Sequence, residues 1–527
     1  MQNVLVSDLL SQRGLDVLIK SGDFKVDVEL ELSHEKLIDR IPFYDALLIR
    51  SDTRVNAEVI DAATNLKVIG RAGVGVDNID VESATRNGIL VVNTPEGNTI
   101  AAAEHTIALI LALSRNILPA GISLQNRTWQ RNKFMGVELY GKVLGSVGLG
   151  RIGREVAKRA HSFGMELIAF DPYISAAAAE KMGVRIVDRE TLFRESDYIT
   201  IHTILDAETY HSIGENEFNI MKPTARLINC ARGGIIDEEA LIDALKENKI
   251  SGAALDVFEN EPAIDSPLLD LQNVLALPHL GASTTEAQDH VAIEVAQQVI
   301  NALQGKPVAN AINQPKIDPR VFDILGPYLQ LAEKIGSFHA QIVEGQISSI
   351  KVHYSGPLFQ KEDVTPITVA LQKGLLTPVL TEVNYVNAPF LIKQRGISIT
   401  ETKSESEADF ANLITVTVTT DRGDAVIAGT TFGRKDIRIV RINKLHLNAT
   451  PEGHLLLIYN SDQPGMIGLI GTILGEHKIN IADMTVGRSQ IGAVALTLIT
   501  VDSLVPRNVL KTIAEQNKID FAKQVIL

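Results

Sequence analysis

The sequence contains a single cysteine, Cys230, among its 527 residues. An intrachain disulfide is therefore excluded, which suits a reducing cytoplasm. Long apolar runs are also missing, because the longest one, 107–113, is much too short to cross a bilayer. The first eight residues lack the basic segment and the apolar run of a signal peptide. We therefore expect a cytoplasmic protein.

Basic residues are in deficit: 50 Lys and Arg against 64 Asp and Glu give a formal net charge of −14. An acidic chain without a long basic run is a poor candidate for binding nucleic acid or an anionic membrane. An anionic substrate would need a local cationic pocket that overcomes this unfavourable overall field. The hydrophobic content of 45% and charged content of 22% are those of a globular protein, and the length predicts three or four domains.

Short β-like runs alternate with helical stretches in the first part of the chain, up to about residue 95. This rhythm predicts a parallel sheet covered by helices. The predicted strands are 4–6, 26–30, 46–49, 67–70 and 89–92. Residues 98–126, rich in Ala, Ile and Leu, are predicted to form one long helix.

A glycine-rich segment, Val147-Gly-Leu-Gly-Arg-Ile-Gly153, follows the strand-like run 143–147 and precedes the helical pattern 151–163. Glycine at 148, 150 and 153 permits a tight turn, close approach of a pyrophosphate, and close helix packing. Asp171 lies 18 residues after Gly153, where its carboxylate can accept hydrogen bonds from ribose hydroxyls and repel a 2′-phosphate. Glycines alone often mark only turns, but this context favours a dinucleotide site that takes NAD.

The position of this segment predicts how the first two domains are connected. A simple Rossmann protein would carry the glycines near its start, so we expect an NAD-binding domain, 98–283, inserted into a substrate-binding domain, 1–97 and 284–315. The later strands of the inserted sheet are predicted at 167–170, 198–202, 226–230, 253–257 and 274–277. A capping box at Ser283-Thr-Thr-Glu286 would start a helix that runs to Leu303 and returns the chain to the first domain.

Three further residues, each after a strand-like run, match the needs of hydride transfer beside a carboxylate. Arg232 in Asn229-Cys-Ala-Arg-Gly-Gly234 could hold the carboxylate through its planar fork. His279 could exchange the proton, and Glu261 could hold its imidazole. Alone, Arg232 reads better as a surface ion pair and His279 as a loop or core histidine. Together, at strand ends of an open α/β sheet, they favour a catalytic set.

Cys230 could be a nucleophile, but its neighbours offer no clear Cys–His pair, which favours a buried cysteine at a strand end. The other histidines, including His105, His161, His202 and His211, have no spacing typical of metal ligands. We therefore expect no metal site.

The sequence changes in character after Gly305-Lys-Pro307. Residues 316–447 become β-rich, with strand-like runs at 347–354, 412–420 and 437–443. Residues 454–527 follow the order strand, helix, strand, strand, helix, strand, which is typical of a ferredoxin-like unit.

At these motifs the chain resembles the D-isomer-specific 2-hydroxyacid dehydrogenases, and within them the long bacterial members that act on 3-phosphoglycerate. The resemblance covers nearly the whole chain: 316–447 is similar to an intervening, allosteric substrate-binding domain and 455–527 to an ACT domain. The implied fold class is α/β, with a Rossmann-type NAD domain inserted into a flavodoxin-like domain, then an α+β domain and a ferredoxin-like ACT domain. The segments that carry the resemblance are 71–78, 93–98, 133–136, 148–153, 229–234, 278–283, 462–465 and 479–481.

The resemblance also implies roles by position. Arg232 would orient the substrate, His279 would exchange the alcohol proton, and Glu261 would support His279. The cofactor would be lined by Gly148, Gly150, Arg151, Ile152, Gly153, Asp171, Thr203, Cys230, Ala231, Arg232, Asp256, His279, Gly281 and Ala282. The substrate side would carry Arg54, Arg71 and Asn98, with Arg131 and Lys133 contributed across a dimer contact to the substrate's phosphate. An L-serine effector would meet Asn460, Asp462 and Asn480 in a homodimer or homotetramer.

The implied activity is NAD-dependent oxidation of 3-phospho-D-glycerate to 3-phosphohydroxypyruvate, the first step of L-serine synthesis. One alternative is a glyoxylate or hydroxypyruvate reductase of the same family, and another is a non-catalytic NAD-sensing scaffold. The long tail argues against the first alternative, and the acidic charge and amino-acid-sensor tail argue against the second. The chain departs from the family pattern at Ile204, where proline is common, and at Asn460, where serine-sensing members often carry His or Tyr.

Overall fold

The computed structural model describes residues 1–316, 319–405, 409–433 and 435–527. Residues 317–318, 406–408 and 434, which belong to the predicted intervening segment 316–447, lie outside the described residues. The chain forms four sheets of five, seven, six and four strands, one after another along the sequence. The fold class predicted from the motifs is confirmed.

The first sheet has five parallel strands in the order β2-β1-β3-β4-β5, which is the flavodoxin-like arrangement. Its strands are Gln2–Val6 (β1), Phe24–Val28 (β2), Ala46–Ile49 (β3), Val68–Arg71 (β4) and Leu90–Val92 (β5). The helices between them are Gln12–Lys20 (α1), His34–Arg40 (α2), Ala57–Ala62 (α3) and Val81–Arg86 (α4). Both faces of this sheet are apolar and buried, as expected for parallel strands covered on two sides.

The predicted single helix over 98–126 is wrong, because the chain forms two helices, Thr99–Ser114 (α5) and Ile117–Gln125 (α6), bent by 64°. Asn116 between them has a left-handed backbone with φ 50°, which cannot continue a right-handed helix. Val137 donates its N–H to the Ser114 carbonyl, 2.9 Å away, and so caps the end of α5. Among the described residues, no single helix is long and apolar enough to cross a membrane, and only this bent pair meets the test of length and composition.

The second sheet has seven parallel strands in the order β12-β11-β10-β9-β6-β7-β8. The strand order reverses between β6 and β9, and ligands of open α/β sheets bind at such a point. The strands are Val143–Val147 (β6), Glu166–Phe170 (β7), Arg185–Ile186 (β8), Tyr198–Ile201 (β9), Arg226–Asn229 (β10), Gly252–Leu255 (β11) and Val274–Ala276 (β12). The helices are Arg151–Ser162 (α7), Ala176–Glu180 (α8), Arg189–Glu195 (α9), Glu215–Ile220 (α10) and Glu238–Lys246 (α11).

The returning helix, Thr285–Leu303 (α12), packs on α1 and on the first sheet, as predicted. Its start differs from the prediction by one residue. The cap is Thr284, whose side-chain oxygen accepts the N–H of Ala287 at 3.2 Å, so the predicted capping box between Ser283 and Glu286 is not formed. Glu286 instead lies within the first turn, where a carboxylate still favours the positive end of the helix dipole.

The third sheet has six strands in the order β14-β13-β15-β16-β17-β18 and carries four helices. Its strands are Ile347–Ser355 (β13), Ser398–Ser404 (β14), Leu413–Thr420 (β15), Gly423–Phe432 (β16), Asp436–Ile442 (β17) and Leu445–Ala449 (β18). Its helices are Pro319–Ile342 (α13), Pro357–Lys361 (α14), Thr365–Leu376 (α15) and Ala388–Gln394 (α16). The three predicted strand-like runs are present, while the long helix α13 was not predicted.

The fourth sheet has the antiparallel order β20-β21-β19-β22, which is the predicted ferredoxin-like arrangement. Its elements are His454–Ser461 (β19), Met466–Glu476 (α17), Ile481–Arg488 (β20), Val494–Val501 (β21), Arg507–Ala514 (α18) and Ile519–Ile526 (β22). One face of this sheet buries against α17 and α18. The other face joins the core of the third sheet, through residues such as Leu457 and Leu496.

Candidate active site

The glycine-rich turn connects β6 to α7 at the point where the strand order of the second sheet reverses. Gly148 has a positive φ of 92°, which favours glycine, and its position leaves no room for a side chain beside the His202 carbonyl. Gly153 packs equally closely on the Gly148 carbonyl. A Cβ on Gly150 would meet no protein atom within 4 Å, so the space over this residue is open. The N–H groups at the start of α7 can therefore receive a phosphate.

Asp171 follows β7 and forms a hydrogen bond with the glycine-rich turn. Its Oδ2 accepts the N–H of Leu149 at 2.7 Å, and its Oδ1 accepts the N–H of Tyr173 at 2.9 Å. Each carboxylate oxygen keeps a second acceptor site. The carboxylate thus stands beside the turn, with capacity left for the hydroxyl groups of a ribose.

Arg232 lies after β10 in a loop that its neighbour Asn229 organises. The buried Asn229 amide accepts the N–H of Ala231 at 2.9 Å and donates to the Arg232 carbonyl at 2.8 Å. The Arg232 side chain reaches the first sheet, where its Nε donates to Asp77 Oδ2 at 3.0 Å. Gly75 lies so close to this guanidinium that a Cβ there would collide with it. Neither Asn229 nor Asp77 was predicted as a site residue, although both lie inside the quoted motifs.

His279 and Glu261 form the predicted pair. His279 Nδ1 lies 2.8 Å from Glu261 Oε2, and Glu261 Oε1 accepts the N–H of Phe258 at 3.1 Å. Burial raises the pKa of Glu261, but the hydrogen bond and charge of His279 outweigh it, so the pKa lies below its usual 4.5. Nε2 of this imidazole has no hydrogen-bond partner in the described part of the chain, so it can meet a substrate hydroxyl. His279 has a left-handed backbone with φ 56°, a strained conformation that often marks functional sites.

Arg71 ends β4 of the first sheet and adds a second cation opposite Arg232. Burial, together with the nearby positive charge of Arg232, lowers the pKa of Arg71 to about 10. Its Nε is buried without a hydrogen-bond partner among the described residues, as are Thr94 Oγ1, Asn98 Oδ1 and Thr99 Oγ1 after β5. Unpaired buried polar atoms are costly in proteins unless a ligand or water meets them. Two guanidinium groups beside such atoms suit a small anionic ligand.

Cys230 and Asp256 follow β10 and β11 on the floor of the same region. Burial raises the pKa of the Cys230 thiol to about 12, which makes it a poor nucleophile. Asp256 is fully buried, and its oxygens accept the N–H groups of Leu280 and Gly281, both at 2.8 Å. It therefore holds the loop after His279 and offers little carboxylate surface to a cofactor.

The other residues predicted to bind cofactor or substrate lie on several different elements. Ile152 packs into the core beside α5, Thr203 follows β9, and Ala282 follows Gly281. Arg151 stands 3.5 Å from Glu96, across from the first sheet. Arg54, Arg131 and Lys133 are exposed, and no ion pair of theirs occurs among the described residues.

The three predicted effector residues of the C-terminal unit form side-chain hydrogen bonds with three different partners. Asn460 is buried and accepts from Thr497 at 3.1 Å. Asp462 accepts from Arg488 at 3.0 Å, and this hydrogen bond lowers the pKa of the carboxyl. Asn480 donates to Asp502 at 2.7 Å.

Comparison with known proteins agrees with this geometry along the chain. The D-isomer specific 2-hydroxyacid dehydrogenase NAD binding domain matches residues 107–281, the D-3-phosphoglycerate dehydrogenase intervening domain matches 324–443, and the ACT domain matches 454–517. Among solved structures, a glyoxylate reductase from Paecilomyes thermophila is 30% identical with a TM-score of 0.55, covering 59% of this chain and 98% of its own.

Full-length relatives extend the match through the tail. A D-3-phosphoglycerate dehydrogenase from Synechocystis is 45% identical over 98% of this chain and 93% of its own length. The enzyme of that name from Archaeoglobus fulgidus is 46% identical over 98% of both chains. With an NAD-binding turn, a His–Glu pair and this tail in one sequence, the chain belongs to the D-3-phosphoglycerate dehydrogenase family.

Proposed function

We propose that the chain oxidises 3-phospho-D-glycerate to 3-phosphohydroxypyruvate with NAD, as the first step of L-serine synthesis. The observation that carries this is that Arg232, Glu261 and His279 follow successive strands, with Glu261 bound to His279 and with Arg71 of the first sheet near Arg232. The name of these relatives and their match over 98% of this chain support the choice of substrate. The glyoxylate reductase covers only 59% of this chain, whereas these relatives match 98% of it, which disfavours the unphosphorylated alternative.

The residues around the turn fit an NAD molecule. The open space over Gly150 would take the pyrophosphate, and the free acceptor sites of Asp171 would take the ribose hydroxyls. Bound NAD supplies the acceptor for the hydride that leaves the substrate's C2 atom. The carboxylate of Asp171 would repel the 2′-phosphate of NADP, so the site selects NAD.

The side chains of the chain would handle the substrate's charges and its proton. Arg232 would hold the carboxylate in bidentate form, with Arg71 adding a second positive charge. His279 Nε2 would take the proton from the C2 hydroxyl while Glu261, bound to Nδ1, stabilises the imidazolium that forms. Asn98, with its unpartnered Oδ1, would receive a hydrogen bond on the substrate side.

The substrate's phosphate would be met by Arg131 and Lys133 of a second copy in a homodimer or homotetramer. Both side chains are exposed beside α6, a helix with no buried residue. Its apolar side chains, together with Trp129 and Met135, form an exposed apolar surface that a second copy would bury. Arg54, also exposed, would face the substrate from the first sheet.

The proposal also includes the domain boundaries, an effector and the cellular compartment. The domains would be 1–97 with 284–315, 98–283, 316–447 and 454–527; the packing of α12 on the first sheet supports the first of these. L-serine would bind near Asn460, Asp462 and Asn480 as an end-product inhibitor, and the enzyme would work in the cytoplasm.

The deciding experiment is steady-state turnover with NAD and a set of 2-hydroxy acids. We expect 3-phosphoglycerate to have the largest kcat/KM, and the reverse reaction to proceed with 3-phosphohydroxypyruvate and NADH. A larger kcat/KM with glyoxylate or hydroxypyruvate would assign the reductase function. Absence of turnover with all of them, while NADH still binds, would favour the NAD-sensing scaffold.

A further inference from the structure

A histidine outside the predicted catalytic set faces the carboxylate that holds the His279 loop. His105 lies on α5, a helix that packs against α7, β10 and β11. Its Nε2 lies 3.1 Å from Asp256 Oδ1, and the side-chain exposures of the two residues are 18% and 1%. Among the described residues, no Lys, no Arg and no second His lies within ion-pair distance of Asp256. The two side chains therefore form a pair in which Asp256 is fully buried and His105 is partly buried.

Asp256 links this pair to the loop that carries His279. Its Oδ1 accepts the N–H of Leu280 and its Oδ2 accepts the N–H of Gly281, so both peptides directly after His279 are fixed. Because His279 itself has a left-handed backbone, its ring direction depends on how firmly this loop is held. A buried carboxylate is costly without a charge partner or enough donors.

His105 Nε2 is likewise a buried polar atom that lacks a hydrogen bond within the described part of the chain. It is buried and no described residue offers it a hydrogen bond of good geometry, although it stands at ion-pair distance from Asp256. Two other titratable side chains feel the charge of Asp256: Glu261 after β11 and Cys230 after β10. The negative charge of Asp256 raises the pKa values of Glu261 and Cys230, although other influences leave that of Glu261 lowered overall.

We propose that His105 is a positioning residue for the oxidation, because its Nε2 stands against Oδ1 of Asp256 and keeps this carboxylate oriented under the His279 loop. Without the His105 imidazole beside it, the Asp256 carboxylate can turn away from one of the two N–H groups. The loss of the imidazole also makes the electrostatic potential around the His279 loop more negative, so the kcat–pH profile should move to higher pH. The inference rests on the proposed oxidation and concerns how its proton acceptor is held.

The test compares His105→Phe, which removes the polar edge, with His105→Gln, which keeps an N–H donor of similar reach. For the Phe variant we expect kcat to fall about tenfold, within the range that displaced supporting groups produce. The half-maximal point of its kcat–pH profile should move upward by roughly half a pH unit. KM and the Kd for NADH should change little. The Gln variant should recover kcat to within about threefold of wild type.

Controls separate positioning from simple packing. His161→Gln on the exposed side of α7 should leave kcat and the profile unchanged. If His105→Phe melts far below the wild type, the decisive variants become His105→Asn, whose shorter side chain does not reach Asp256, and Asp256→Asn, alone and combined. The proposal requires that His105→Asn lowers kcat by itself and has no further effect on kcat or on the pH profile once Asp256 is Asn.

Three results would overturn the inference: additive effects in that cycle, equal losses in Gln and Phe variants with a wild-type pH profile, or wild-type kinetics in the Phe variant. An inactive wild type would instead overturn the proposed function.

Discussion

The candidate functional side chains of the second sheet and those of the fourth sheet have different kinds of hydrogen-bond partner. After β10, β11 and β12, the residues Arg232, Glu261 and His279 meet partners that belong to the site itself. In the fourth sheet, Asn460, Asp462 and Asn480 each pair with a different structural neighbour. Parallel strands bring their carboxyl ends to one edge of the sheet, so a site forms within a single chain. An effector site that forms between two copies can take residues from both, so it need not be complete within one chain.

The edge strand of the fourth sheet, β20, is covered by a strand of the third sheet. Strand β18 of the third sheet lies along β20, with Thr485 donating to the Asn448 carbonyl at 3.0 Å. Gly487 packs so closely on the His446 carbonyl that a Cβ would collide with it. A second copy that paired with β20 would have to displace β18 at these residues, whereas the loops around Asp462 and Asn480 remain accessible.

The largest expected effect concerns His279. His279→Ala should lower kcat by at least about 10²-fold, the usual scale for a lost acid–base group. The Kd for NADH should stay close to that of wild type, because the glycine-rich turn is untouched. Stopped-flow and steady-state kinetics measure both. A loss confined to KM would assign His279 to substrate binding and weaken the contrast between the two sheets.

Arg232→Lys tests the carboxylate clamp. An ammonium keeps the charge but not the planar fork, and it would also lose the contact with Asp77. We expect kcat/KM to fall on the order of 50-fold, as for the loss of an oriented donor, while NADH binding is retained. Lys67→Arg, at an exposed ion pair with Asp45, is a matched control that should leave kinetics unchanged. Wild-type kcat/KM in Arg232→Lys would remove this residue from the catalytic set.

The effector hypothesis predicts inhibition of wild type by millimolar L-serine. Asp462→Ala and Asn480→Ala should each raise the half-inhibitory concentration about tenfold, which corresponds to a typical allosteric coupling. Asp502→Ala, which removes only the partner of Asn480, provides a comparison. The hypothesis would be wrong if serine did not inhibit the wild type, or if it inhibited all variants equally. The fourth sheet would then have no serine site at these residues.

Asp171→Ala should narrow the preference for NAD over NADP by several-fold, since the repulsion of a 2′-phosphate is removed. The change also removes the acceptor for the Leu149 N–H, so the KM for NAD should rise at the same time. Ratios of kcat/KM for the two cofactors measure the preference. A wild type that uses NADP and NAD equally well would contradict the role of Asp171.

The sequence predicted most of the strands, and the places of Arg232, Glu261 and His279 after strands, because local patterns determine both. The glycine turn, the strand-end Arg232 and the His279 loop each need only their own segment and the sheet topology. Residues defined by contacts between distant segments were missed, among them Asp77 opposite Arg232 and His105 opposite Asp256. The break after Ser114 was missed for the same reason, because the cap that ends α5 comes from residue 137.

The smallest expected effect is at Cys230, the only thiol in the chain. Because burial raises its pKa from 9.0 to about 12, the native thiol should resist iodoacetamide at pH 8 and react fully in urea, as mass spectrometry can follow. The neutral thiol stabilises the fold at full strength below pH 9, and this contribution is lost as the pH rises through about 12. Cys230→Ser should keep kcat near wild type, because no step uses the thiolate. Rapid alkylation of the native protein, with loss of activity that NAD prevents, would instead give Cys230 a direct place beside the cofactor.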